Sequence, residues 1–229
     1  MLPSLLLALV SLAELPAVAV LSVLAVLQGL TEFLPVSSSG HLVLAQAAMG
    51  IDDPAIVVDV ALHVGTLFAV LVVYRRDLAS LARGLFDGRW REPLLLVLGT
   101  LPAVVVGLGF RDQVEVAFES PRTAAYGLFA TAAMLFAGEA FRRRRLGMEP
   151  GPLSWRIALG VGIAQALAIC PGISRSGSTI ACGLALGLAP AAAARFSFLL
   201  AIPAIGGAAL LQLPAVLDAG RIDHGGELL

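Results

Sequence analysis

Four residues of this chain carry side chains suited to acid–base or phosphoryl chemistry and sit where such side chains are costly: Glu32, Ser38, His41 and Arg175. The first three lie in the peptide Gln28-Gly-Leu-Thr-Glu-Phe-Leu-Pro-Val-Ser-Ser-Ser-Gly-His41, the fourth in Pro171-Gly-Ile-Ser-Arg-Ser-Gly-Ser-Thr179. Both peptides interrupt long apolar runs. Polar and charged groups at membrane depth cost several kcal/mol, so they are either paired or there to do chemistry. Gln28 and Glu32 are i and i+4 and share one helix face; Ser38 and His41 are i and i+3 and share another. Ser37-Ser38-Ser39-Gly40 is N-capping sequence ahead of the apolar run 42–49, and Ser174 to Thr179 precede 180–189 in the same way. Two helix N-termini then point free backbone N–H groups at one place, which suits an anion. Arg175 adds the side chain best fitted to bidentate capture of phosphate.

This set fits phosphoryl transfer from a diphosphate. A hydroxyl or a water attacks phosphorus, while Arg175 and the N–H groups stabilise charge on the equatorial oxygens. Glu32 serves as a base or holds a divalent cation, with Gln28 as a neutral oxygen ligand. His41 orients or activates the nucleophile, or protonates the leaving group. Structural roles compete with each of these. Glu32 can be the ion-pair partner of Arg175. Ser37, Ser38 and Ser39 are caps in any reading, with at most one nucleophile among them. Asp59 and His63, i and i+4 on one apolar segment, read as a local pair. The run Arg142–Arg145 reads as a topology signal in contact with lipid headgroups. Arg195 is a weak candidate for an anionic site.

The elements that must position these residues follow from composition. The chain has 229 residues, of which 59% are hydrophobic and 14% charged, well short of the roughly one-quarter charged residues of a soluble domain. It reads as one all-α integral membrane domain over 1–229. The net charge of −1 gives no basic patch for nucleic acid. Every basic residue is Arg, with no Lys and no Asn, which looks like base composition rather than mechanism. Cys170 and Cys182 read as packing residues, with no disulfide. The N-terminal run lacks the basic start of a signal peptide and is expected to be retained, with 1–12 a short interfacial extension.

Spanning takes about 20 apolar residues, and 55–74, 94–110, 122–141 and 191–212 meet or approach that. In 16–50 and 154–189 the run is instead broken at Pro35 and Pro171 and resumes for about ten residues. Such half-length runs predict re-entrant hairpins, whose non-helical tips must be covered by protein or line a watery cavity. The loops 75–93 and 142–156 hold ten of the fifteen Arg residues and are expected on the cytoplasmic side. The acidic loops 111–121 and 51–54, the latter with Asp52 and Asp53, are expected outside. Gln28, Ser37, Ser39 and Gly40 recur as Gln165, Ser174, Ser176 and Gly177 at a constant offset of 137. Three spans separate the hairpins, an odd number, so they predict inverted repeats (about 16–141 and a partial 154–212) whose tips meet near the midplane. By that offset the second repeat is short of two C-terminal helices; the polar stretch 213–229 follows the last span.

The two peptides carry a resemblance. Gln28–Leu42 looks like the Glu/Gln-x-x-x-Glu motif and Pro-Val-Ser-Ser-x-Gly-His segment of the bacterial undecaprenyl-diphosphate phosphatases of the bacitracin-resistance type. Pro171–Thr179 resembles that family's Pro-Gly-x-Ser-Arg-Ser-Gly segment, and Phe196-Ser-Phe-Leu-Leu-Ala-Ile-Pro203 also looks like it; the likeness covers roughly 17–212. The resemblance implies inverted repeats with two re-entrant hairpins. It implies an enzyme of the bacterial cytoplasmic (inner) membrane that removes the terminal phosphate of undecaprenyl diphosphate on the outer face. That reaction recycles the lipid carrier for peptidoglycan precursors and confers bacitracin resistance. It implies a divalent cation, Mg²⁺ or Ca²⁺, at Gln28 and Glu32, and leaves room for a homodimer among membrane lipids. The family's functional positions fall on Glu32, Ser38, His41 and Arg175. Ser37, Ser39, Ser174, Ser176, Gly177 and Thr179 are expected around the diphosphate. Ser38 is favoured as nucleophile over His41. Gln28 replaces a Glu found in some members, which bears on metal affinity. A polyprenyl-phosphate transporter or flippase of the same architecture is the competing reading, as is an inactive short member. Ser38, His41 and Arg175 discriminate, because hydrolysis needs them and proton coupling does not.

Overall fold

The computed structural model describes residues 17–51 and 56–225. Every secondary-structure element among them is a helix: α1 (Ala17–Thr31), α2 (Ser38–Ala48), α3 (Ile56–Val73), α4 (Arg75–Phe86), α5 (Arg91–Gly109), α6 (Arg111–Phe118), α7 (Pro121–Arg144), α8 (Trp155–Leu167), α9 (Arg175–Ala185) and α10 (Pro190–Gly225). α5, α7 and the Pro190–Pro214 part of α10 are long and apolar enough to cross a membrane. α3 and α4 make a fourth candidate that is bent by 71°. The chain is a multi-pass membrane protein.

Three expectations are corrected. The Arg-rich stretch after residue 74 is a helix, not a loop. Arg75, Arg76 and Arg83 fall on one face of α4 and Leu78, Leu81 and Leu85 on the other, an amphipathic pattern suited to lying along an interface. Likewise α6 occupies most of the expected 111–121 loop. The last span does not stop at 212, because the helix continues to Gly225 with Pro203 and Pro214 inside it. Asp52, Asp53 and residues 226–229 lie outside the described residues, and so does the expected N-terminal extension 1–12.

The two broken segments are helical pairs. α1 and α2 have 15 and 11 residues, α8 and α9 have 13 and 11, all too short to cross alone, and within each pair the arms pack together. α5 lies against α8, and their axes come close because both carry glycine at the crossing. A Cβ on Gly162 would sit 2.6 Å from the Gly99 carbonyl oxygen, the small-residue contact that brings helices together in lipid. Leu95, Ala158, Val161, Phe196 and Leu200 fill the space where α5, α8 and α10 meet. Cys170 and Cys182 are free thiols.

The tips of the hairpins meet backbone to backbone. A Cβ on Gly40 would lie 2.7 Å from the Gly172 Cα, and one on Gly177 would lie 3.3 Å from the Pro35 carbonyl oxygen. Under the offset of 137 these are one contact made twice. α7 braces the second tip from behind. Gly172, at φ +85°, fits under the Ala124 carbonyl, and a Cβ on Gly127 would come within 2.2 Å of the Pro171 carbonyl oxygen. Thr131 Oγ1 donates to the Gly172 carbonyl at 2.8 Å and accepts from the Ser174 N–H at 2.8 Å. A side chain at residue 127 must therefore push the tip off α7. Gly127→Val should lower stability in detergent by about 3 kcal/mol, the upper end of overpacking costs. Gly29→Ala, with nothing within 4 Å, should leave stability unchanged or raise it. Thermal unfolding followed by size-exclusion chromatography checks this; a wild-type melting temperature for Gly127→Val would contradict the tip contact.

Candidate active site

Glu32 is the hub. It extends the last turn of α1, its N–H donating to the Gln28 carbonyl at 2.9 Å, so Gln28 lies one turn behind on the same face. The residue is 7% exposed, and both carboxylate oxygens are engaged. Arg175 Nη2 donates to Oε1. Ser38 Oγ donates to Oε2 at 2.5 Å and Gln28 Nε2 donates to the same oxygen at 3.0 Å. The partnership of Glu32 with Arg175, weighed from sequence as the structural role of the carboxylate, thus exists. It coexists with a hydroxyl on the other oxygen. Arg175 Nη1 and Gln28 Oε1 are buried without a partner.

Local sequence explains why Ser38 and Arg175 both reach Glu32. Ser37 caps α2 by accepting from the Gly40 N–H at 3.3 Å, and Ser174 caps α9 by accepting from the Gly177 N–H at 3.0 Å. In each turn the cap serine and the serine two residues on lie Oγ to Oγ at 3.3 Å. Ser38 and Arg175 are the first residues of the two helices, equivalent positions under the offset. They approach one carboxylate from opposite hairpins. The position equivalent to Glu32 is Ile169, so the pair of turns holds a single carboxylate. The amides of Ser38, Ser39, Arg175 and Ser176 precede the first intrahelical bonds and remain for an anion. One asymmetry is conformational. Ser37 has φ +67° and Ser174 φ −67°; among the described residues Ser37 is the one non-glycine residue in the left-handed region. Such strain persists only where surroundings impose it, and it gathers at functional sites.

A cavity of about 760 Å³ opens on this cluster, within the range of ligand pockets. Glu32, Ser37, Ser38, Ser39, Ser174, Arg175 and Ser176 line it, as expected. Four other expected residues do not. Gln28 stays behind Glu32 at 1% exposure. The Gly177 amide is used by its cap. Thr179 Oγ1 turns inward to the Arg175 carbonyl (2.7 Å) and to Ser197 Oγ (2.6 Å), tying α9 to α10. His41 Nδ1 donates to the Ser37 carbonyl at 2.8 Å, the bond its equivalent Ser178 makes to the Ser174 carbonyl at 2.7 Å. Arg195 is also corrected. It forms ion pairs with Asp77, at 2.5 Å, and with Glu92, which leaves it no role at an anion. Phe198, in the Phe196–Pro203 segment, packs against Tyr74 and against Phe33, the residue after Glu32.

The remaining wall was read differently from sequence. Asp59 and His63 of α3 line the cavity, but they do not bond to each other through their side chains. His63 Nδ1 donates to the Asp59 backbone carbonyl at 2.7 Å, and Asp59 Oδ1 accepts from Gln46 Nε2 at 2.9 Å. The signal available in the sequence was their presence in an apolar segment, where an ionisable group is functional by default. Arg111, Glu115 and Glu119 stand at the cavity edge, with Arg111 Nε donating to Glu115 at 2.8 Å.

Breaking the Glu32–Arg175 pair from one side leaves a buried charge, which costs about 3–5 kcal/mol, whereas replacing both members with apolar residues is often neutral. Glu32→Leu should therefore melt well below the wild type and Glu32→Leu/Arg175→Leu should recover most of the loss. Equal melting temperatures for the single and double variants would mean the pair is not a coupled unit.

Known proteins resemble this sequence. A family profile described as "Bacitracin resistance protein BacA" matches residues 21–227. The undecaprenyl-diphosphatase of Desulfatibacillum aliphaticivorans is 44% identical over 220 residues, covering 88% of this chain and 78% of the relative. That of Desulfosudis oleivorans is 47% identical over 207 residues, covering 83% and 75%. That of Rubrobacter xylanophilus is 44% identical over 209 residues, covering 86% and 76%. This chain belongs to the bacitracin resistance protein BacA family.

Proposed function

We propose that this protein hydrolyses undecaprenyl diphosphate to undecaprenyl phosphate and inorganic phosphate, returning the lipid carrier to cell-wall synthesis and contributing to bacitracin resistance. The observation that carries this reading is the convergence on one cavity of Glu32 and Ser38 from the first hairpin with Arg175, 143 residues after Glu32, from the second. The relatives' name, undecaprenyl-diphosphatase, supplies the substrate; the cavity supplies a nucleophile, a base and a cation for a diphosphate.

Ser38 Oγ attacks the terminal phosphorus as Glu32 takes its proton through the 2.5 Å hydrogen bond already formed. The phosphoanhydride bond breaks and undecaprenyl phosphate leaves with the electron pair. Arg175, through Nη1, and the amides that open α2 and α9 hold the phosphoryl oxygens. Water then hydrolyses the Ser38 phosphate, and Glu32 returns the proton to Oγ. His41 acts through the backbone, holding the Ser37 carbonyl and with it the turn that aims Ser38.

A divalent cation fits this site in a limited way. Among the described residues no cluster of three or more His, Cys, Asp or Glu side chains could hold a metal. The orphaned Gln28 Oε1 beside the Glu32 carboxylate makes two oxygen donors. That suits Mg²⁺, which is commonly held by one or two carboxylates together with substrate phosphates. Glu32 would hold it from the cavity wall, with Gln28 reaching it only from behind that carboxylate, and when bound it would offset the charge of the diphosphate.

The cavity is bordered by α6, at the ends of α5 and α7 opposite the Arg-rich stretches 75–93 and 142–156. With those stretches cytoplasmic, the cavity faces the outside of the bacterial cytoplasmic membrane. The purified protein should release phosphate from farnesyl or undecaprenyl diphosphate in detergent. Ser38→Ala and Arg175→Ala should each lower the rate by about 10³-fold. EDTA should suppress release, and Mg²⁺ or Ca²⁺ should restore it. Transport of polyprenyl phosphate across liposomes without phosphate release would favour the flippase reading instead.

A further inference from the structure

We propose that His63 of α3 holds the water that hydrolyses the phosphorylated Ser38, a proposal that rests on Ser38 being the nucleophile. Among the described residues, His63 is the imidazole that lines the cavity with Glu32, Ser38 and Arg175; His41 does not. Its ring orientation is fixed. A backbone carbonyl only accepts, so the 2.7 Å contact with the Asp59 carbonyl places a hydrogen on Nδ1, and in the neutral imidazole Nε2 is then the acceptor. The Asp59 carboxylate does not compete for Nδ1, since its Oδ1 is bound to Gln46 across the gap between α2 and α3. Glu32 cannot serve this water well. Its carboxylate already holds Ser38, Gln28 and Arg175, and after the first step it carries the proton that Ser38 needs back.

The second step then balances without a further reactant. The water oxygen bonds to phosphorus while one of its hydrogens points at His63 Nε2. The bond from phosphorus to Ser38 Oγ breaks, and Oγ takes the proton from Glu32. The second hydrogen of the water passes to a phosphate oxygen, so the product leaves as dihydrogen phosphate. His63 acts as an acceptor that aims the water, a task an amide oxygen can share.

The test is rapid acid quench of purified protein in detergent with farnesyl diphosphate radiolabelled in its terminal phosphate. Protein-bound label, farnesyl phosphate and inorganic phosphate are counted together. His63→Ala should show a burst of farnesyl phosphate equal to the enzyme concentration. Steady phosphate release should then run at least tenfold slower than in the wild type, with label accumulating on the protein. His63→Gln should recover most of the rate. If His63→Ala does not fold, His63→Leu carries the same expectation. Wild-type phosphate release by His63→Ala or His63→Leu overturns the proposal and leaves Ser38 as nucleophile untouched. Slow release with no labelled protein in any variant overturns both.

Discussion

Two turns that lack helical hydrogen bonds must sit deep inside an apolar protein and satisfy their polar groups there. That constraint organises the molecule. Each turn caps its own following helix with a serine, and each presses its backbone against the other at a glycine. α7 supplies what the turns cannot supply themselves: a threonine that both donates to and accepts from the second turn, and glycines that let the chain lie flush. Without the close approach, Arg175 would have no carboxylate within reach. A guanidinium at that depth would then carry its full desolvation penalty.

The candidate site is thus a by-product of how the turns are satisfied. Helix N-termini need acceptors and offer donors. Once two of them face each other, an anionic group between them is favoured whatever its origin. Glu32 meets the first side chain of each helix, Ser38 and Arg175, and the phosphoryl groups of the proposed substrate would meet the backbone amides from the cavity side. Arg175 serves both through different nitrogens. Nη2 stays with the carboxylate and Nη1 has no protein partner.

Much of this was legible in the sequence, because the signals were local. Serines ahead of short apolar runs give caps, Gly/Pro/Ser breaks give hairpins, and polar residues in apolar surroundings give the hub of the site. What failed to show was of two kinds. Helices α4 and α6 were hidden because their charge was read as topology, while the alternation of Arg and Leu faces that makes α4 helical was passed over. The direction of individual side chains was also hidden. Thr179 and His41 have the right chemistry at the right spacing, yet Thr179 Oγ1 bonds to main chain and a neighbouring helix, and His41 Nδ1 to the Ser37 carbonyl. Only the packing of α10 behind α9, and of each side chain against its own first turn, decides that. Asp59 and His63 went the opposite way. Their spacing suggests a side-chain pair, whereas His63 bonds to the Asp59 backbone carbonyl and the Asp59 carboxylate bonds to Gln46.

Ser38 and Arg175 occupy equivalent places in the two turns and meet at a carboxylate that only one half possesses. Two identical chains assembled about a two-fold axis would be obliged to put the same side chain at both places. They would give either two hydroxyls with no cation or two cations with no hydroxyl, and a carboxylate on each side or on neither. Joining both turns in one polypeptide lifts that obligation. Each side becomes free to specialise while the contact that holds them together, Gly40 against residue 172 and Gly177 against residue 35, is kept on both sides.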